Sequence, residues 1–145
     1  MKGIIRIAAI AGLTALAVSC SQSVESVESV QPSSAQQTAA QAWMTLVDEG
    51  RYSESWRQSS SIFQLAIAET DWIQKVRQAR APIGGVLSRN RRDAIAEKNP
   101  AGAPDGDYLI ITYGSSFEKK ADAIETFTLY QEADGSWRAV GYYIR

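Results

Sequence analysis

Between Lys75 and Arg92 the chain carries six basic side chains, Lys75, Arg77, Arg80, Arg89, Arg91 and Arg92, and no acidic one. Guanidinium groups suit bidentate contact with carboxylates and phosphates. Arg77, Arg80, Arg89, Arg91 and Arg92 therefore form a candidate patch for an anionic partner, whether a lipid headgroup, a phosphorylated saccharide or an acidic protein. The other reading is a pair of solvated faces, on the last helix and the first strand, neutralised by neighbours such as Asp93, Glu97 and Glu125. Alternation along a strand puts Arg89 and Arg91 on one face and Arg92 on the other, which argues against a single patch.

Carboxylates offer a second chemistry, because two of them at suitable separation can act as acid and base. Asp48-Glu49, Asp105/Asp107 and Glu132/Asp134 are the candidate pairs. Each falls at a helix end or a turn, where Asp and Glu ordinarily cap or face water. Asp105-Gly106-Asp107 has the opening spacing of a calcium loop but lacks its later acidic positions and terminal glutamate. The chain has no histidine and one cysteine, Cys20. That removes the usual base near neutral pH, the commonest metal ligand and any disulfide framework. No catalytic residue, metal or cofactor is expected, and the chain is read as non-enzymatic.

Charge argues against nucleic acid as a partner. Fifteen basic and 16 acidic side chains give −1, and a cleaved leader would take Lys2 and Arg6 and leave −3. An acidic body does not neutralise phosphates in number.

The leader itself is legible. Met1 to Arg6 is a short basic segment, and Ile7 to Val18 is apolar apart from Gly12 and Thr14. A dozen apolar residues fall short of the roughly twenty that a membrane-spanning helix needs, but they suit a secretory signal over residues 1–19. Leu16-Ala17-Val18-Ser19-Cys20 resembles the lipobox of bacterial lipoproteins, with leucine one place early and Ala17 where it usually stands. The resemblance implies cleavage before Cys20, a diacylated (typically palmitate-bearing) cysteine and an envelope membrane as anchor. Ser21, where aspartate signals inner-membrane retention, points to the periplasmic face of an outer membrane in a diderm cell. Residues 20–36 are then expected to be the lipidated cysteine and a disordered tether, rich in Ser, Gln, Val and Glu with no aromatic residue.

Beyond the tether, residues 37–145 suffice for one domain. Ala39, Ala40, Trp43, Leu46 and Val47 recur at helical spacing up to Gly50. Three shorter helices are expected to start near Ser53, Ser61 and Thr70, each as N-cap, and Pro82 with Gly84-Gly85 closes the series. After Val86 the period becomes two. Strands are predicted over 88–98, 108–117, 123–132 and 137–144, separated by Pro104-Asp105-Gly106, Glu118-Lys119-Lys120 and Asp134-Gly135. Helices first and strands after predict an α+β fold, with N-terminal helices packed on a curved four-stranded antiparallel sheet. Trp43, Tyr52, Trp56, Phe63 and Trp72 all fall on the helices, where they either line a ligand pocket or anchor the core.

Ala42-Trp43, Leu46-Val47-Asp48-x-Gly50-x-Tyr52 and Ser55-Trp56, with Arg80-Ala-Pro82-x-Gly84, Pro104-Asp105-Gly106-x-Tyr108 and Asp134-Gly135-x-Trp137-Arg138-x-x-Gly141-Tyr142-x-Ile144, resemble a family of bacterial secreted proteins catalogued as domain of unknown function 4019. The resemblance spans about residues 38–145. It implies an architecture similar to the nuclear-transport-factor-2-like cone folds, and it implies no activity. The expectation from sequence is a lipid-anchored envelope protein whose domain binds a partner protein, cell-wall polymer or anionic lipid. The alternative is a small-molecule or lipid carrier with a concave pocket between helices and sheet.

Overall fold

A computed structural model describes residues 28–145. Cys20, the signal read over residues 1–19 and the tether up to residue 27 lie outside the described residues. Four helices, α1 (Ser34–Asp48), α2 (Tyr52–Arg57), α3 (Ser61–Ala66) and α4 (Glu69–Arg80), precede four strands, β1 (Val86–Lys98), β2 (Asp107–Phe117), β3 (Lys120–Gln131) and β4 (Trp137–Ile144). The strands form one antiparallel sheet in sequence order, as short turns between successive strands require. The α+β expectation holds.

Local chemistry explains most boundaries, and it moves some of them. Helix α1 starts three residues before Gln37, because Ser33 and Gln36 form a capping box: the Ser33 hydroxyl accepts from the Gln36 amide and the Gln36 side chain accepts from the Ser33 amide. Its other end closes at Gly50 (φ +75°), where Gly50 N–H donates to Val47 and Arg51 N–H to Leu46. Ser60, one residue before the expected Ser61, caps α3 through the Phe63 amide. Ser53 and Thr70 cap nothing. Ser53 donates instead to Glu69, tying the start of α2 to that of α4, and α2 and α4 begin without a side-chain cap.

Residues 29–36, part of the segment expected to be a disordered tether, are ordered. Ser29 bridges Ile95 on the free edge of β1, Val30 N–H donates to the Ala94 carbonyl at 2.7 Å, and the Ser29 hydroxyl donates to Asp93. This short strap covers part of an otherwise unpaired strand edge.

One sheet face is apolar and carries the helices. Ala94, Leu109, Ile111, Phe117, Ala123, Phe127, Leu129 and Ala139 are buried there against Ala40, Trp43, Met44, Val47, Phe63, Trp72 and Val76. On the other face Ile110, Thr112, Thr126 and Thr128 remain half-exposed. Every strand pairing contains a register shift; β1 against β2 has two, between Val86 and Ser88 and, as a bulge beside the arginines, between Arg91 and Asp93. That bulge changes which parity faces the helices: Arg89 and Arg91 face them before it, Ala94 after it. Arg92 turns to the opposite face and lies over Gly114, where a Cβ would collide with the Arg92 guanidinium.

Candidate functional site

The aromatic residues on the helices build the core. Trp43 stacks within 5.7 Å of Trp72, 5.1 Å of Phe127 and 5.5 Å of Tyr142, centroid to centroid, and Phe63 meets Trp72 edge-on at 5.1 Å. Each indole N–H is satisfied. Trp43 donates to the Ser55 carbonyl and the Ser59 hydroxyl, Trp72 to the Ser55 hydroxyl, and Trp56 to the Ile67 carbonyl. Trp43, Phe63 and Trp72 are buried, while Tyr52 and Trp56 are half-buried and packed against them. The space between helices and sheet is therefore occupied by side chains along this line.

Charge is buried at one end of that core. Arg89, on β1, lies between two carboxylates and grips both. Its Nε donates to Glu125 at 2.6 Å and its Nη2 at 2.9 Å; its Nη1 donates to Asp48 at 2.7 Å and its Nη2 at 3.0 Å. Arg80, at the end of α4, adds a 2.9 Å bond to Asp48 and lies over the Phe117 ring. Ser115 and Tyr142 donate their hydroxyls to Glu125, and Tyr142 accepts from Arg80. Two arginines and two carboxylates leave the cluster formally neutral, and it joins α1, α4 and all four strands.

Burial decides how these groups titrate. Glu125 is fully buried, which pushes its carboxyl up, but the bonds from Arg89, Ser115 and Tyr142 outweigh that and hold it below the ordinary carboxylate range. Burial likewise pulls the Arg89 guanidinium down, and Asp48 and Glu125 more than restore it. Tyr142 is pushed up by burial and by the adjacent Glu125 charge. Tyr142 thus favours folding while it stays neutral, and that contribution is lost as pH rises past the ordinary tyrosine value of about 10. Replacing Tyr142 with Phe is expected to flatten the alkaline limb of the stability profile, measured by urea unfolding between about pH 8 and 11. An unchanged alkaline slope would refute this.

The arginine run is thereby divided. Arg80 is 5% exposed and Arg89 is enclosed by its two carboxylates, so neither can belong to an exterior patch. Arg77 is exposed on α4, and Arg92 is exposed on the far face of the sheet. The exterior patch of five arginines is corrected to one exposed guanidinium per surface. The physical reason is that Arg89 sits in the inward register of β1, opposite Ser115. The carboxylates responsible are also inward: Glu125 stands between Ala123 and Phe127 in the apolar alternation of β3, and that misplaced charge is the signal available in the sequence.

Arg91 behaves differently. It shares the inward face with Arg89, yet among the described residues it bonds only Gln31, whose Oε1 accepts from Nη2 at 2.6 Å. It opens onto a cleft of about 380 Å³ beside the buried cluster. Helix α1 forms one wall through Gln37, Gln41 and Thr45, and Met44 and Ile111 form the apolar floor. Pro32 from the strap, Arg89 and Tyr113 complete it. Among the described residues no carboxylate lines this cleft. Burial pushes the Tyr113 phenol up while Arg89 and Arg91 pull it down.

The other sequence candidates do not assemble into a site. Asp105 is exposed in the β1–β2 turn, where the Tyr130 hydroxyl reaches its carbonyl. Glu132 accepts from the Ser61 amide, and Asp134 from the Ser136 amide. Ser116 and Lys119 have Ser-x-x-Lys spacing, but they lie on the end of β2 and the following turn. Residues three apart share a face in a helix and not in a strand. Among the described residues no group of three or more His, Cys, Asp or Glu is placed to hold a metal ion, and no helix is long and apolar enough to cross a membrane.

No curated protein matches the chain. The family model described as a protein of unknown function (DUF4019) matches residues 39–142. That span runs from the first turns of α1 to Tyr142 in β4, and contains Asp48, Arg80, Arg89, Ser115, Glu125 and Tyr142 as well as the buried aromatic core. The chain belongs to the DUF4019 family.

Proposed function

We propose that this chain is a non-enzymatic binding module, held at the surface of a bacterial envelope membrane by lipid on Cys20. It meets its partner through the cleft between α1 and the β1–β2 edge. The observation that carries this reading is the cleft's composition: about 380 Å³, an apolar floor, hydrogen-bonding walls, and Arg91 facing it with no carboxylate partner among the described residues. The partner is a protein, a cell-wall polymer or an anionic lipid. The cleft's size also favours a second reading as a small-molecule or lipid carrier, since it falls within the range of ligand pockets.

The state of Glu125 supports the non-enzymatic reading. Its two oxygens accept four bonds, from Arg89 twice, Ser115 and Tyr142. A carboxylate so saturated, and held below its ordinary range, has no lone pair left for a substrate proton. No cofactor enters this reading. The basic leader, its short apolar segment and Cys20 support the anchor, and Ser21 supports the periplasmic face of an outer membrane.

The test combines both parts in one cell line carrying a photo-crosslinking residue at the exposed Gln41, with and without Cys20→Ser. The wild-type chain is expected in the membrane fraction, labelled by palmitate and giving discrete Gln41 adducts. Cys20→Ser is expected to lose the label and to retain its signal. Labelling that persists in Cys20→Ser would remove the anchor from the proposal, and a cleft that yields no adduct would remove the binding role.

A further inference from the structure

We infer that the cleft between α1 and the β1–β2 edge is a site for an amphiphilic monoanion, a carboxylate carrying a short apolar body. This deepens the binding-module reading and rests on it.

Charge in the cleft can be counted group by group. Arg89 reaches the cleft wall, but Asp48 and Glu125 neutralise it together with Arg80, so the buried cluster contributes no net charge. Among the lining residues Arg91 is then the one uncompensated charge. A single positive charge matches a monoanion. Desolvating a dianion against it would leave excess negative charge in a half-enclosed site.

Donor geometry points the same way. Arg91 spends one N–H on Gln31 and keeps four of its five, enough for the bidentate grip that a planar carboxylate accepts. Tyr113 lines the same cleft, and its hydroxyl has no hydrogen-bond partner among the described residues, so it is free to donate a further bond. Met44 and Ile111 lie beneath these donors and offer an apolar floor. A ligand with a charged head and a short hydrocarbon or aliphatic side chain uses both halves, whereas a small inorganic anion leaves the floor bare. The Gln31–Pro32 strap borders the opening, so the bound head group would lie next to the segment leading back toward Cys20.

Such a carboxylate has two chemical sources, a short fatty acid or the C-terminal residue of a peptide. The experiment uses one probe for each. The full-length chain in neutral phosphatidylcholine nanodiscs is titrated calorimetrically with hexanoate and with N-acetyl-leucine, and with hexanol as the uncharged control. At least one carboxylate is expected to bind while hexanol does not, and the one that binds identifies the source. Arg91→Gln is expected to weaken it by about tenfold or more, the usual effect of losing a charge-assisted bond. Tyr113→Phe is expected to weaken it several-fold. Arg91 is exposed and outside the buried cluster, so the melting temperature of Arg91→Gln should match wild type.

Failure of both carboxylates to bind, binding that survives Arg91→Gln, or equal binding of hexanol would each overturn the inference. Gln41 adducts formed in cells despite such a result would leave the binding module standing and reject only the carboxylate. Absence of both would reject the two together.

Discussion

Arg89→Met is expected to destabilise the domain by about 3–5 kcal/mol, the usual cost of removing one partner from a buried ion pair. Among the described residues Arg89 is the sole cation on Glu125, which is fully buried, and it shares Asp48 with Arg80. Without it Glu125 keeps only two hydroxyl donors, Ser115 and Tyr142. For a domain of this size the loss corresponds to roughly 10–20 °C in Tm. Arg77→Met, at an exposed position with no ion pair among the described residues, is expected to stay within about 0.5 kcal/mol of wild type. The contrast between two arginines of one run is the measurement, by urea unfolding at pH 7.

The same variant should reverse the acid limb of the stability profile. In the wild type Glu125 is held below its ordinary value, so its contribution is present above the unfolded value of about 4.3 and is lost as pH falls through the folded one. With Arg89 gone, burial dominates and the carboxyl moves above its unfolded value. Its penalty then eases as pH falls, because the folded chain takes up the proton before the unfolded chain does. Stability of Arg89→Met should therefore rise between pH 7 and pH 5, where Glu125 gives the wild type no slope. Adding Glu125→Gln should recover part of the loss at pH 7, since a neutral amide replaces the stranded charge. A loss under 1 kcal/mol with no change in acid slope would show that the cluster is not an energetic centre.

Trp43→Ala should be similarly costly, about 3–5 kcal/mol. The indole touches Trp72, Phe127 and Tyr142, so its removal opens a cavity where α1 meets both α4 and the sheet. It also strips a donor from the buried Ser55 carbonyl and Ser59 hydroxyl. Trp43→Phe separates the two terms. It keeps an aromatic ring that fills most of the cavity but leaves those acceptors short, for a smaller expected loss of about 1–3 kcal/mol. If Trp43→Ala unfolds outright, Trp43→Phe still reports. Equal stability of wild type and both variants would mean that the aromatic contacts do not hold the helical layer on the sheet.

Much of the fold is legible in the amino-acid sequence. The four strands and their turns lie within a few residues of their predicted places, because alternation and turn chemistry are local properties of the chain. Helix starts are less legible. Ser33-x-x-Gln36 carries a capping box, but it sits in a segment whose composition resembles that of the residues preceding it. Ser53 has the right residue type for a cap, yet its hydroxyl is drawn away by Glu69, sixteen residues on. Residue type proposes a cap, and only the packing of α2 on α4 disposes of it.

The arginine run separates the two levels most clearly. Sequence alone determined that six basic side chains lie together without an acid, and that Arg92 faces away from Arg89 and Arg91, because alternation survives up to the bulge. Tertiary structure decided what each of them is for. Arg89 meets Asp48 across 41 residues and Glu125 across 36, and Arg80 meets Asp48 across 32. Pairings at that separation follow from how α1 and α4 lie on the sheet, and no local pattern encodes them. Burial then turned two apparent surface charges into a neutral interior cluster, and left Arg91 as the charge that faces the cleft.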